Sequence, residues 1–451
     1  MFPGLGVSTH GGCMRVSDKS DDFLIFFSGG RLEYPGTSHH GRRQGHNTRM
    51  NKQVLIAGGG IGGLAAAIGA SRAGWEVRLF EQARVLSEVG AGIQLGPNVV
   101  RRLQAWGLQK PLQQVVALPD SLRVRSAATG QELGHMPLGS EAVHRYGAAY
   151  ATIHRADLQQ LLKEAAQTYP GMHLNLGQPI EGFSETDGVV TVRTQAGKLI
   201  EGDALVAADG VRSVLRQQLL GDGPPRVTGH LAYRALVHQA QLPKRLRATD
   251  VTAWLGSRMH AIQYPVRRGE LQNLVVIVQG SAPEDLANWD HAGNLDDLVR
   301  VLQGSCPQLL DLVQHVPAAG GDWRLWPVGD RPPVQSAAQM ARGVVALLGD
   351  AAHPMRPYLA QGAGMAIEDA AELQRALSMH DLDVNMRLRR YALNRWQRNA
   401  RVQARSQRNG RIFHATGPVR WGRDLSLRLL GSRLMDLPWL YRGDGSAANA
   451  L

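Results

Sequence analysis

An α/β fold is what this 451-residue sequence predicts: a parallel dinucleotide-binding sheet, an inserted antiparallel sheet and C-terminal helices. Three observations carry the prediction. A strand, a glycine loop, a helix and a second strand follow one another from residue 53. Two further apolar strands occur far downstream, at 204–208 and 344–348, each running into a turn that carries an aspartate. Between them the chain breaks into short strand-like runs separated by turn residues.

The first unit is the most specific. Gln53 to Ala57 reads as a buried strand. Gly58-Gly-Gly60-Ile-Gly-Gly63 follows and satisfies G-x-G-x-x-G. Leu64 to Ala73 is helical, Gly74 is a natural stop, and Glu76 to Phe80 is a second strand ending at Glu81. Gly58 permits a tight turn, Gly60 lets the backbone approach a pyrophosphate, and Gly63 lets the helix pack on the strand. The free N–H groups at the helix start attract the phosphates. An acid about 20 residues on, here Glu81, can bind a ribose hydroxyl. This Rossmann-like unit alone does not separate NAD from FAD.

Two later segments add to it. Ala204-Leu-Val-Ala-Ala-Asp209-Gly210-Val-Arg212-Ser213-Val-Leu-Arg216 is a strand entering a polar helix start. Val344 to Leu348 is a strand followed by Gly349-Asp350-Ala-Ala-His353-Pro354, then Gln361-Gly362-Ala363-Gly364-Met365 and a helix. A second helix N-terminus aimed at the same cleft suits the electron-rich end of a reduced flavin ring.

With these three motifs in this order, the sequence from Met50 onward closely resembles the single-component (group A) flavin monooxygenases. That family includes the salicylate, 3-hydroxybenzoate and 6-hydroxynicotinate hydroxylases, and its fold is para-hydroxybenzoate-hydroxylase-like. The resemblance implies FAD as cofactor and NADH or NADPH as a transient hydride donor. It implies O2 as co-substrate and hydroxylation of a small aromatic acid or hydroxypyridine through a flavin hydroperoxide. It places Gly58, Gly60, Gly63 and Glu81 at the ADP half, and Arg155 near the phosphates. Asp209 falls in the segment serving both FAD and the nicotinamide donor. Asp350 falls at the ribityl chain, and Gly362, Ala363, Gly364 and Met365 opposite the flavin ring. Gln94 and Arg102 resemble ring- and ribityl-contacting positions. For Asp209 and Arg155 a purely structural ion pair is the alternative.

The strand-like runs Leu231–Val237, Val251–Gly256, His260–Val266 and Leu271–Gln279 predict an antiparallel sheet roofing the flavin. His230, Tyr233, Tyr264 and Pro354 are the candidate pocket residues. A phenol reacts faster as phenolate, so a base of near-neutral pKa is useful, and His230 is the first choice. Structural roles stay open for His230 and for Tyr233, which core packing would equally explain. Tyr264 precedes Pro265 and either orients the sheet or meets substrate. His353 is expected to support its loop.

These segments predict an FAD-binding domain from residues 50–225 and 338–385, a substrate domain over 226–337, and a helical region over 386–451. Residues 1–49 lack any sustained period and are expected to be an extension outside the native fold, with Met50 as start; Gly443 to Leu451 is expected to be disordered. Residues 365–408 read as two long helices, and the arginines from Arg387 to Arg411 as one solvated face.

Composition narrows the classes. With 43% hydrophobic and 20% charged residues the chain reads as globular. Two cysteines, Cys13 and Cys306, support neither a disulfide framework nor a cysteine metal site, so a reducing cytoplasm is expected. The net charge of +12 allows a nucleic-acid partner, but no motif supports one, and a positive surface also attracts anionic substrates. No apolar run is long enough to span a membrane. The C-terminal apolar residues, Trp421 and Leu430 among them, are expected to pack on the first domain or in a homodimer rather than on a membrane. The competing readings are a reductase of the same fold without oxygen transfer, an idle dinucleotide-binding protein, and a nucleic-acid binder.

Overall fold

The computed structural model describes residues 52–86, 91–281, 285 and 290–443. The expectations for residues 1–49 and for most of the final stretch lie outside these residues.

The predicted opening unit forms as a strand at Gln53–Ala57, a helix at Ile61–Arg72 and a strand at Glu76–Glu81. Every side chain of the first strand is buried, as expected where helices cover both faces of a parallel sheet. Six strands make this sheet, in the order Ala341–Arg342, Val345–Leu347, Ala204–Ala207, Gln53–Ala57, Glu76–Glu81, Met172–Leu176. All neighbours run parallel except the first pair. Ala204–Ala207 pairs directly with the glycine-loop strand and Val345–Leu347 pairs in parallel with Ala204–Ala207, so three turns from distant parts of the sequence open at the same end of the sheet. Ligands bind at that carboxyl end in folds of this kind.

The second large sheet has eight strands. The four predicted runs form its centre as Arg226–His238, Leu271–Gln279, Met259–Val266 and Val251–Leu255, all antiparallel. Two further strands, Ser121–Ser126 and Glu132–Pro137, extend it through a parallel pairing of Val251–Leu255 with Ser121–Ser126. The sheet that covers the cleft therefore recruits residues 121–137 from the stretch assigned to the first domain.

Alternation along Arg226–His238 sorts its side chains. Leu231, Tyr233, Ala235 and Val237 pack with Leu274, Val276 and Val278 against two helices, Leu295–Val301 and Pro307–Ala318. The opposite face carries His230, Ala232 and Arg234, and there Ala232 packs with Val275, Ile277, Val328 and Tyr358.

The C-terminal region begins with Gly362–Leu377 and the 30-residue helix Val384–Phe413. The long helix corrects the reading of a solvated arginine face. Arg395 and Arg387 are buried. Arg387 donates to the carbonyls of Leu377, His380 and Leu382, closing the end of the preceding helix. Arg395 meets the carboxylates of Glu368 and Asp369 at 3.0 and 2.7 Å. A charge run reads as solvated only while its partners, here 26 and 27 residues away, are unknown. Among the described residues no helix is long and apolar enough to cross a membrane.

Candidate active site

The glycine loop has the shape its sequence requires. Gly58 has φ +106°, and a Cβ there would sit 2.3 Å from the Ala208 carbonyl oxygen. A Cβ on Gly63 would fall 1.8 Å from the Gly58 carbonyl oxygen, so only glycine lets this helix start against its strand. Gly60 faces open space. The helix has no side-chain cap and no acid in its first turn, which leaves its N–H groups for an anionic ligand. Glu81 braces the loop: Gly59 N–H donates to Oε2 at 2.6 Å and Ala83 N–H to Oε1 at 2.8 Å. Gln159 donates to Gly59 O from the helix that Arg155 begins.

The Asp-Gly segment closes on itself. Asp209 accepts from Ser213 Oγ at 2.5 Å and from Leu215 N–H at 3.3 Å, and Ser213 Oγ accepts from Arg216 N–H as the cap of the helix Val214–Leu220. Burial pushes its carboxyl pKa up, and these hydrogen bonds oppose the shift. Arg216 is fully buried and donates to the carbonyls of Val211 and Ala351. It clips this segment to the Gly349-Asp350 loop.

Asp350 is exposed, in a short turn at the start of that loop. Past it, Gly362–Met365 open the helix Gly362–Leu377, again with no side-chain cap and no acid in the first turn. Behind the turn, His353 Nε2 contacts Asp369 Oδ2 at 2.5 Å with both groups fully buried. Arg395 and Asn399 hold the other oxygen of Asp369. His353 and Arg395 keep that carboxyl pKa below the usual range despite its burial. Glu368 receives Arg395, Arg398 and Asn98. The loop over Pro354–Tyr358 is carried by one stripe of the long helix: Gln403 donates to Pro354 O, Ser406 to Arg356 O and Asn409 to Tyr358 O.

The predicted residues therefore divide. The glycines, Glu81, Asp209, Asp350 and Gly362–Met365 gather at the carboxyl end of the parallel sheet. Gln94 is buried beside them and accepts from Tyr150 O–H at 2.6 Å. Arg102 lies on the helix Pro97–Ala105, and Arg155 opens the helix after the strand Ala151–His154. Tyr264 is on the cleft face of the large sheet, its hydroxyl donating to Gly92 O at 2.7 Å, and burial raises its pKa. Pro354 is buried in the loop opposite. Tyr233 is not brought to them. It points to the other face and meets Trp323 edge-on at 6.5 Å, so its role is core packing.

His230 sits where the strand breaks register. Between Val227 and Leu231 the pairing shifts, with Gly229 at φ +71°. A bulge of this kind re-aims a side chain. Its Nδ1 contacts the Tyr358 hydroxyl, and burial, then Arg356, lowers the imidazole pKa.

Arg234 is the residue missed from sequence. It lies four positions from His230, hence on the same face, with its guanidinium 3.8 Å above the Trp326 ring. Its Nε is enclosed and has no partner among the described residues. Burial lowers its pKa to about 10; Tyr264 opposes that shift and Arg155 adds to it. Period-two alternation applied to Arg226–His238 would have paired Arg234, and not Tyr233, with His230.

A family model described as an FAD binding domain matches residues 51–406. A 3-hydroxybenzoate 6-hydroxylase of Polaromonas naphthalenivorans (strain CJ2) is 38% identical over 391 residues, 86% of this chain and 95% of the relative. A 6-hydroxynicotinate 3-monooxygenase of Bordetella bronchiseptica is 35% identical over 361 residues, 79% of this chain and 91% of the relative. A salicylate hydroxylase solved with substrate superposes with a TM-score of 0.74 at 26% identity, covering 89% of this chain and 98% of that one.

Proposed function

Since the chain belongs to the FAD-binding monooxygenase family, we propose that it hydroxylates a small aromatic acid bearing a ring hydroxyl, with NADH or NADPH as hydride donor. FAD, when bound, supplies the redox and oxygen chemistry. The cleft suits it: the open space at Gly60 would take the pyrophosphate, and the uncapped helix starts at Ile61 and Gly362 would face the phosphates and the flavin ring. Asp350 and Gln94 are the proposed ribityl and ring partners, with Arg102 and Arg155 along the same path. Asp209 acts by shaping its segment.

The observation that carries the substrate class is Arg234. A half-buried guanidinium whose Nε is enclosed, with no acidic partner among the described residues, is costly, and an anionic ligand offsets that cost. A carboxylate on Arg234 and a ring stacked among Ile262, Tyr264, Val275 and Trp326 would present the ring hydroxyl to the His230 side. His230 is the proposed base, and Pro354 with its loop closes the pocket.

Purified yellow protein should be assayed for NADH and oxygen consumption with 3-hydroxybenzoate, 6-hydroxynicotinate and salicylate, recording product mass. One compound should accelerate both and gain one oxygen. Reduction and turnover that proceed equally well without oxygen would establish a reductase instead. Arg234→Met should raise KM for the acid about 10- to 100-fold, the worth of a charged hydrogen bond of about 1.5–3 kcal/mol. The corresponding amide should lose far less. Tyr233→Phe, on the far face, should stay within about twofold of the parent in kcat/KM, since its hydroxyl contributes to packing at most.

A further inference from the structure

His230 does not stand alone on its side of the pocket. Its ring lies parallel to that of His414, with centroids 4.7 Å apart and planes 3° apart. His414 Nε2 contacts His260 Nδ1 at 2.8 Å. Tyr358 packs edge-on or tilted against all three imidazoles and against Phe413. Four separate elements supply these rings: two strands of the large sheet, the end of the long helix and the Pro354–Tyr358 loop. The loop position is tight, since a Cβ on Gly410 would come within 2.6 Å of the Tyr358 ring.

We propose that Tyr358 and His414 are positioning residues for the base: the Tyr358 hydroxyl engages Nδ1 of His230, leaves Nε2 to take the phenolic proton of the substrate, and shares with the stacked His414 ring the charge that results. The inference rests on the reading of His230 as base. The step itself is balanced. The substrate O–H bond breaks with its electron pair kept on oxygen, and an N–H bond forms at His230 Nε2. The imidazolium then has two N–H donors. Nδ1–H donates to the Tyr358 oxygen, and the neutral His414 ring offers its face to the cation.

The surroundings keep the cluster neutral until that proton arrives. Burial lowers the pKa of His230, His260 and His414, that of His414 to about 3. The charged groups acting on the cluster are Arg356 and Asp330 on His230, and Arg356 and Arg423 on His414. His260 feels His414 and His230. Asp330 is itself engaged by Arg226 and Arg356 at 3.1 and 2.8 Å.

The test compares His230→Ala, Tyr358→Phe and His414→Leu in the FAD-loaded full chain, with 3-hydroxybenzoate as probe. At pH 7 Tyr358→Phe should lower kcat about 10- to 100-fold with KM nearly unchanged, as removal of a residue that orients another group does. The deficit should shrink as pH rises toward the phenol's own pKa, about 10. It should be absent with a ring-fluorinated analogue already ionised at the assay pH. His414→Leu should show the same pattern more weakly. The near-ultraviolet difference spectrum of bound 3-hydroxybenzoate should show less phenolate in Tyr358→Phe than in the parent at the same pH. A Tyr358→Phe deficit that persists with the ionised analogue would overturn the proposal, because a displaced loop is slow with any substrate. A His230→Ala deficit rescued by the ionised analogue, beside a Tyr358→Phe variant matching the parent, would overturn it while leaving the base in place. A His230→Ala deficit that pH does not relieve would remove the base itself.

Discussion

Arg395→Met should destabilise the protein by about 3–5 kcal/mol, because it leaves two buried carboxylates without their shared cation. Arg395 is fully buried and holds Asp369 and Glu368 at 2.7 and 3.0 Å. Asn399, His353 and Arg398 remain, but none replaces the bridge between the two acids. The apparent Tm should fall by roughly 4–6 °C. The sign of its pH dependence follows from the carboxylates. Both are held below their ordinary pKa in the fold. Their stabilisation is therefore complete above the unfolded carboxylate value of about 4 and is lost as pH falls through the depressed folded values. The gap between parent and variant should be full at pH 7 and should narrow below about pH 4. A gap that stays constant down to pH 3 would contradict this account. Thermal unfolding at a series of pH values reads both.

Gly63→Ala should cost FAD binding at least about 100-fold. Its new Cβ would fall 1.8 Å from the Gly58 carbonyl oxygen, a backbone atom that cannot rotate away. Either the helix Ile61–Arg72 shifts outward or the Gly58 turn opens, and both carry the free N–H groups away from the pyrophosphate. Losing charge-assisted contacts of about 1.5–3 kcal/mol, several at a time, easily exceeds that factor. The variant should purify pale, with the flavin dissociating on gel filtration. Far-ultraviolet dichroism near that of the parent would separate a lost cofactor from a lost fold. A variant as yellow as the parent would show that the close packing at Gly63 is dispensable.

The parts legible in the sequence were those set by local pattern. The glycine spacing, the apolar strand before it and the acid after the second strand are consecutive, and each has one physical reading. The four central strands of the large sheet announced themselves by length and turn residues. What sequence could not supply were pairings across distance. The strands Ser121–Ser126 and Glu132–Pro137 join the sheet through residues more than a hundred positions away, and no local pattern encodes that. Arg395 looks like every other arginine in its helix until Glu368 and Asp369 are placed opposite. The polar stripe of Gln403, Ser406 and Asn409 likewise has meaning only once the Pro354–Tyr358 loop lies across it. Tyr233 is different, because alternation from His230 was enough to place it on the far face and to bring Arg234 forward. The side-chain type drew attention where the period should have decided.

This cleft is expected to insert one atom of molecular oxygen into a ring-hydroxylated aromatic acid. The most direct measurement is product mass after turnover of the FAD-loaded protein with NADH, 3-hydroxybenzoate and isotopically heavy oxygen gas. A product carrying a single heavy oxygen, formed in proportion to the oxygen consumed, is the predicted result. Unlabelled product, or substrate turnover undiminished under strictly anaerobic conditions, would contradict it.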